Sequence, residues 1–448
     1  MNQNQLDQKR KWVTGKFIVG IDPAKDKHQA TIIDDNGNIV GKSFSFEHNA
    51  FGFHEKLWDK LKRYLAPESI QPAHLIFAVE AAVDFWQPLV NYLHKLNFPV
   101  LIVSPLTTKR SRALPGHDFS RTDPKDARLV AESAFRGHYH RYVEYSEQVN
   151  ALKTLSLTYC KIRKNLFQNQ HRLRSTIARV FPEFLTIVPP HTDTARFLLA
   201  NYLHPRDFLN LDVSATAVQI LKISKQQHGL QTLLDLQNAA QHSIGLQRNN
   251  AEIISDRLTV NSWLAIIATL QNQLDNIAQQ LIGLAKQTPW FDILVSIKGV
   301  SDLSAALFIA EVKDLARFQH FKQIQKLAGL NLRLNDSGRT HGRHKINKIG
   351  NRRLRWIIFL MTQETIKYIP EVRIKYLKRR LNANGIRTKN IVACSSQLLQ
   401  LIMALIKNNH FYQFLPQNQA LAHHLEEQLH QKTTAKQQHR KPIEIPVF

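Results

Sequence analysis

Asp22, Glu80, Asp123 and Asp126 are the residues of this chain whose type and setting could do chemistry together. Asp22 closes an apolar run, Phe17-Ile18-Val19-Gly20-Ile21, and Glu80 closes a second, Leu75-Ile76-Phe77-Ala78-Val79. Asp123 and Asp126 lie in Arg121-Thr122-Asp123-Pro124-Lys125-Asp126-Ala127, at i and i+3 of what reads as a helix start. That spacing puts both carboxylates on one helical face. Carboxylates at neighbouring strand ends plus such a helical pair can converge on one point, and hard divalent cations such as Mg²⁺ take oxygen ligands. The plainer alternative is that Asp123 and Asp126 are first-turn acids favouring a helix N-terminus. Asp26, Asp34 or Asp84 could replace one of the four, although Asp34 and Asp35 read as turn residues.

The elements that must position these acids form a mixed unit over roughly residues 15–145. Residues 17–22, 29–34 and 38–44 read as three strands, with Asp35-Asn36-Gly37-Asn38 as hairpin chemistry between the second and third. A helix near 49–65, a strand at 74–80, a helix near 86–96, a strand at 98–103 and a helix from about Asp123 to Arg136 follow. A three-stranded meander followed by alternating helix and strand resembles the ribonuclease-H-like fold shared by RuvC-type resolvases and many transposases. In that fold the acids come from the first strand, the fourth strand and the final helix, in the order seen here.

The rest of the chain reads as helical. Leu152, Leu155, Tyr159, Ile162, Leu166, Leu173 and Ile177 approximate a 3-4 spacing with one gap at Gln170. Val260, Trp263, Ile267, Leu270, Leu274, Ile277, Leu281 and Leu284 keep strict 3,4,3,4 steps. Sustained heptads make a coiled-coil seam, and the partner helix could lie in another subunit, as a joining stalk, or in the same chain, as a helical hairpin. Residues 183–247 carry further helical patches with no assigned function. Past Pro289, Ile297-Lys298-Gly299-Val300 followed by Leu303, Ala306, Leu307 and Ala310 looks like a helix-hairpin-helix turn or a tight helix corner. The expected organisation is an α/β unit at 15–145, a helical, coiled-coil region at 146–288, an α-helical unit at 289–410, and a helix with a flexible tail at 411–448.

Charge points to a partner. The 448 residues carry 60 Lys and Arg against 35 Asp and Glu, a formal net charge of +25. So large a surplus calls for a polyanion, nucleic acid first. It is also clustered. No acid falls between Asp336 and Glu364, a span that holds Arg339, Arg343, Lys345, Lys348, Arg352, Arg353 and Arg355. A second acid-free span, Glu147 to Glu183, holds Lys153, Lys161, Arg163, Lys164, Arg172, Arg174 and Arg179. Patches of this kind bind phosphates through counterion release, with strong salt dependence and little sequence preference. Cys160 and Cys394 make neither a disulfide framework nor a zinc site. The polar N-terminus lacks a signal-peptide core, and no apolar run nears the ~20 residues of a membrane span. The expectation is a soluble, cytoplasmic protein with no membrane partner.

Several pieces together carry a specific resemblance. They are Gly20-Ile21-Asp22-Pro23-Ala24-Lys25, the strand ending in Glu80, and Arg121 to Ala127; then Ala328-Gly329-Leu330, Asp336-Ser337-Gly338-Arg339, and Ile346-Asn347-Lys348-Ile349-Gly350-Asn351-Arg352-Arg353-Leu354-Arg355. In this order they resemble the DEDD-type insertion-sequence transposases with a serine in the C-terminal domain, the IS-one-ten family. The matching parts run from about 17 to 138 and from 293 to 365, and Leu332 stands where the family often has proline. The resemblance implies a recombinase that cuts and rejoins DNA to move its own element. Asp22, Glu80, Asp123 and Asp126 would hold Mg²⁺, and Ser337 would be the nucleophile of a covalent phosphoserine step. Arg339, Arg343 and Lys345 would neutralise the phosphate, and Lys348 to Arg355 would grip the backbone. Arg121 and Lys125, beside the acids, and Arg163, Lys164, Arg172 and Arg174 in the other basic span complete the expected nucleic-acid contacts. A structured guide RNA made from the element, which would be the partner of the basic span between Glu147 and Glu183, and a homo-oligomer, dimer or tetramer, are further implications. Without the resemblance, Ser337 reads as a turn serine; His341 and His344 beside it could assist proton transfer, with phosphate contact or plain solvation the preferred reading. Two other functions compete: a metal-dependent junction-resolving nuclease without a covalent step, and a non-catalytic nucleic-acid scaffold.

Overall fold

The computed structural model describes residues 3–82, 84–112, 122–333, 345–382 and 387–438, and they form two compact units, Met1–Glu144 and Tyr145–Phe448. The first unit is α/β. Helix α1 (Gln3–Val13) precedes strands β1 (Phe17–Asp22), β2 (Lys27–Ile33) and β3 (Ile39–Glu47). After a π-turn come α2 (Leu57–Tyr64), β4 (Leu75–Glu80), α3 (Trp86–Lys95), β5 (Val100–Val103), α4 (Pro105–Ser111), α5 (Asp123–Phe135) and β6 (His140–Arg141). The strands make one six-stranded sheet in the order β3-β2-β1-β4-β5-β6. β1 pairs antiparallel with β2 and parallel with β4, and β4 pairs parallel with β5.

The expected strands and helices of this unit are present, with shifted ends. The β2–β3 turn follows from Asp34, whose Oδ1 accepts from the backbone N–H of Asn36 and Asn38, and from Gly37 at φ +85°. Both sheet faces are covered: one core holds Val19, Ile21, Phe77 and Leu89, the other Ile18, Ile76, Val130 and Ala134. That is why β4 is buried at every position and reads as an unbroken apolar run. Helix α1 was not expected. Its sequence is polar, and only its end, through buried Val13, joins the core, so tertiary packing rather than propensity forms it.

The second unit is helical apart from a short ribbon. It contains α6 (Glu147–Val180), α7 (Phe184–Ile187), α8 (Asp193–Asn201), α9 (Pro205–Leu209), α10 (Val213–Ile223), α11 (Leu230–Gln241) and α12 (Asn250–Lys286). Then follow α13 (Phe291–Val295), α14 (Asp302–Val312), α15 (Phe321–Leu327), strands β7 (Leu332–Arg333) and β8 (Lys345–Ile346), and α16 (Arg352–Tyr368). Last come α17 (Pro370–Asn382), α18 (Arg387–Asn408) and α19 (Pro416–Gln438).

The two heptad-bearing helices pair with each other inside the chain. Leu152 and Tyr159 of α6 share a core with Leu274 and Leu281 of α12, whereas Leu173 and Ile177 share another with Val260 and Ile267, so the helices run antiparallel. On α12, Ile253, Val260, Ile267, Leu274 and Leu281 form a buried stripe with a strict seven-residue repeat, joined by buried Leu264 and Ala285, while Trp263 packs only partly buried. Helix α14 is central and wholly buried from Ala305 to Val312. At the corner before it, Gly299 has φ +98°, and a Cβ there would stand 3.0 to 3.1 Å from the backbone of Glu364 and Thr365 in α16, which is a packing reason for glycine. Two helices, α12 and α18, are long and apolar enough to span a bilayer by composition, contrary to the reading that no run approaches that length. Their apolar faces are core faces here, through Leu274 and Leu281 on one and Leu398, Leu399 and Ile402 on the other.

Candidate functional site

The geometry of the first unit brings the acids together by two devices. The first is register: parallel pairing of Ile21 with Val79 leaves Asp22 and Glu80 side by side at the ends of β1 and β4. The second is Gly20. A Cβ at this position would stand 2.4 Å from both the carbonyl oxygen of Ala127 and the backbone nitrogen of Ala131. Only glycine therefore allows α5 to lie directly on β1, and that contact carries Asp123 and Asp126 to the strand end. The carbonyl of Pro124 reaches Thr31 Oγ1 of β2 at 3.5 Å.

Electrostatics report the convergence. The Asp22 carboxyl is raised from 3.8 to about 7, first by burial and then by the charges of Glu80, Asp126 and Asp123 and a hydrogen bond with Glu80. Glu80 is buried, and Thr108 Oγ1 of α4 donates to its Oε1 at 2.6 Å. Arg112, just past α4, pairs with Asp126 Oδ1 through Nε at 2.9 Å and a terminal nitrogen at 2.6 Å. Asp123 and Lys125 are exposed on the first turn of α5. Behind the strand end, buried His28 accepts at Nδ1 from the Ala24 N–H and meets His48 at 2.8 Å, fixing the turn that follows Asp22. Among the described residues, no group of three or more carboxylates, imidazoles or thiols stands at metal-ligating geometry. The donor set still suits a hard cation: four carboxylates, one of them kept from ionising readily by burial and by the charges of the other three, with one of those paired to an arginine.

The basic residues of the second unit separate into anchored and free cations. Glu311 of α14, its side chain fully buried, accepts from Arg353 Nε at 2.9 Å, Ser156 Oγ at 3.1 Å, Asn351 Nδ2 and Lys153 Nζ. These partners hold its carboxyl below the usual glutamate range despite its burial. Asn351 also caps α16, accepting from the N–H of Arg353 and Leu354. Arg355 donates to the carbonyls of Ala328 and Lys348, and Gly329 at φ +67° lies under Ile349, so Ala328-Gly329-Leu330 and the stretch around Arg352 are one structural piece. Arg353 and Arg355, expected on the nucleic-acid backbone, are thus tied into the fold. Arg163 lies 4.3 Å over the Trp356 ring, and Arg172 lies 5.2 Å over Trp263. Arg352, Lys348, Lys164 and Arg174 are exposed and have no acidic partner among the described residues. Ser337, Arg121, Arg339, Arg343, His341 and His344 lie outside the described residues, and of Lys345 only the backbone in β8 is described.

The two acid-free spans meet. Lys161, Arg163 and Lys164 of α6 face Arg352, Arg353 and Trp356 of α16 across a groove of about 560 Å³ that no acidic side chain lines. Sequence reasoning missed this juxtaposition, along with Thr108, Arg112 and Glu311. For Glu311 a signal existed, as the lone charge in the apolar run Leu303 to Val312.

Two family models match, in order along the chain: a transposase model of the DEDD IS110 type over residues 19–182, and one described as a transposase of the IS116/IS110/IS902 family over 291–377. Together they cover more than half of the chain. It belongs to the IS110 family of insertion-element transposases. Two curated relatives agree. The chain is 21% identical over 299 residues to the uncharacterized 43.6 kDa protein of insertion element IS110 from Streptomyces coelicolor, covering 66% of this chain and 72% of that protein. It is 20% identical over 406 residues to the uncharacterized 44.8 kDa protein of insertion element IS116 from Streptomyces clavuligerus, covering 89% and 96%. As an IS110-family transposase the chain is an enzyme of DNA recombination, and its DEDD domain points to divalent-metal dependence. The first match spans all four convergent acids, and the second spans the segment from the Gly299 corner through α16.

Proposed function

We propose that this transposase cuts and rejoins DNA with a RuvC-like first unit, whose Asp22, Glu80, Asp123 and Asp126 hold Mg²⁺, and with Ser337 as nucleophile. The observation that carries this reading is the convergence of the four acids at the ends of β1 and β4 and the start of α5, where burial first and then the charges of Glu80, Asp126 and Asp123 raise the Asp22 carboxyl to about 7. Part-buried carboxylates that also repel one another form a site that a divalent cation stabilises. The strand order, with the acids on the first strand, the fourth strand and the last helix, supports the ribonuclease-H-like assignment. Bound there, the cation would supply charge neutralisation at the scissile phosphate.

The protein's own residues do the rest. Thr108 fixes the Glu80 carboxylate, and Arg112 holds Asp126. Ser337 Oγ attacks the phosphorus, so a phosphorus–serine oxygen bond forms as the bond to one deoxyribose oxygen breaks, and the serine proton leaves with that oxygen. The reverse displacement by a new deoxyribose hydroxyl rejoins DNA without outside energy. Lys348 and Arg352 contact the phosphate backbone, with Arg339, Arg343 and Lys345 nearest the reacting phosphate. A guide RNA made from the element selects the sites, and the enzyme works in the cytoplasm as a homo-oligomer.

Incubation with element-end DNA and Mg²⁺ should give a covalent adduct that survives a denaturing gel and is absent in Ser337→Ala. An adduct that persists in that variant removes Ser337 as nucleophile. Metal-dependent cleavage with no adduct in the wild type would favour a hydrolytic junction nuclease.

A further inference from the structure

The groove between α6 and α16 has a composition that phosphate binding alone does not require. Phe167 is 67% exposed at its edge, one helical turn beyond Arg163 and Lys164. Trp356 forms the facing wall, with Arg163 stacked on it. Apart from an edge-on contact with His171 at 6.4 Å between ring centroids, this large aromatic ring turns its apolar surface to water beside Lys161, Lys164 and Arg352, in a strongly positive setting. Duplex DNA offers the phosphates but keeps its base faces stacked. An unpaired base offers both a ring face and an adjoining phosphate, and this combination of cationic track and aromatic platform is how single strands are held.

We infer that this groove binds an unpaired segment of a DNA strand, with a base stacked on Phe167 and its phosphates on Lys161, Lys164 and Arg352. The assignment to DNA rests on the proposed cutting by Ser337. Arg352 follows β8 by six residues, a reach of at most ~20 Å, and β7 and β8 are the pair that brackets the serine-bearing segment. On that reading, a strand released from pairing by the cut supplies the occupant. The volume, about 560 Å³, lies in the range of small-ligand pockets. Cys160 also lines it and provides a chemical probe of occupancy.

The test uses the full chain and short fluorescent probes: oligo(dT), the same strand with abasic sites, a blunt duplex and oligo(rU). Oligo(dT) should bind more tightly than the abasic strand. Phe167→Ala should weaken oligo(dT) binding roughly 5- to 150-fold while leaving the abasic strand and the duplex unchanged. Its ring is exposed, so the variant should fold normally. Lys161→Gln with Lys164→Gln should reduce the log–log salt slope for oligo(dT) by about 1.4, and bound oligo(dT) should slow alkylation of Cys160. Equal affinity of wild type and Phe167→Ala for oligo(dT), or of the wild type for the abasic strand and oligo(dT), overturns the inference. Tighter binding of oligo(rU) than oligo(dT) overturns the choice of DNA as occupant. A wild type that forms the Ser337 adduct while Phe167→Ala changes nothing refutes the groove alone; a wild type that forms no adduct and binds none of the probes refutes the proposed function.

Discussion

Asp22 sets up a test of the carboxylate focus that does not need DNA. Its folded-state value near 7 lies above its ordinary value of 3.8. The folded protein therefore binds this proton more tightly than the unfolded chain, and stability falls as pH rises between about 4 and 7, then levels off. A shift of ~3 units corresponds to a ceiling of ~4 kcal/mol at 1.36 kcal/mol per unit. Asp22 is only half-buried and shares its hydrogen bond with Glu80, so a destabilisation of ~2 kcal/mol at about pH 8 is expected after screening. Asp22→Asn keeps the shape and a hydrogen-bonding group while removing the charge. In metal-free buffer at about pH 8 it should be more stable than the wild type by ~1–2 kcal/mol, and the pH slope between about 5 and 7 should flatten.

Hydrogen–deuterium exchange of peptides covering β1 and β4 reads this locally, with α14 as an internal reference. A change of ~2 kcal/mol is ~30-fold in protection. In the wild type, Mg²⁺ at a hundredfold excess over its dissociation constant should restore ~2.7 kcal/mol, and Asp22→Asn should lose most of that response. If Asp22→Asn leaves β1 exchange and its pH slope unchanged without metal, the acids do not act on one another and the site is misread.

Four further substitutions follow from the packing. Gly20→Ala should push α5 off β1, costing ~1–3 kcal/mol or more by urea unfolding, and should abolish strand joining while duplex binding persists. Glu311→Ala should destabilise the second unit by ~3–5 kcal/mol, because it strands Lys153 and Arg353 without their buried counter-charge; an unchanged denaturation midpoint would contradict the network. Arg352→Gln should lower the salt slope of duplex binding by about 0.9, the value of one phosphate contact, with stability unchanged, whereas Arg353→Gln should cost stability first.

The acids were legible because a carboxylate that ends a buried apolar run has few places to sit other than a sheet edge, and two such runs imply neighbouring edges. Glycine at position 20 was visible in the motif, but its role as a seat for α5 depends on a contact more than a hundred residues away in sequence. Helix α1 and the short strand β6 carry almost no periodic signal and exist through their partners. Heptad spacing identified α6 and α12 as packed seams and left their partner open; the structure pairs them with each other inside the chain. Charge runs were the least informative feature. A sequence displays how many cations a helix has, whereas Arg353 and Arg352, adjacent in the chain, are told apart only by whether Glu311 lies within reach.

That distinction bears on how a strongly basic enzyme can be both stable and adhesive. Cations that bind polyanions must exchange protein neighbours for phosphates, so a cation already committed to a buried carboxylate contributes little to counterion release. Glu311 commits Lys153 and Arg353, and through Asn351 it also fixes the first turn of α16. The consequence is that Arg352 projects from a helix start whose backbone is held from both sides, by the Asn351 cap and by Arg355 on Ala328. Anchoring one arginine thereby orients its neighbour, and the entropy of ordering that surface is lost on folding rather than on binding. On this argument the buried glutamate is as necessary to the nucleic-acid face as any exposed cation, although it touches no phosphate.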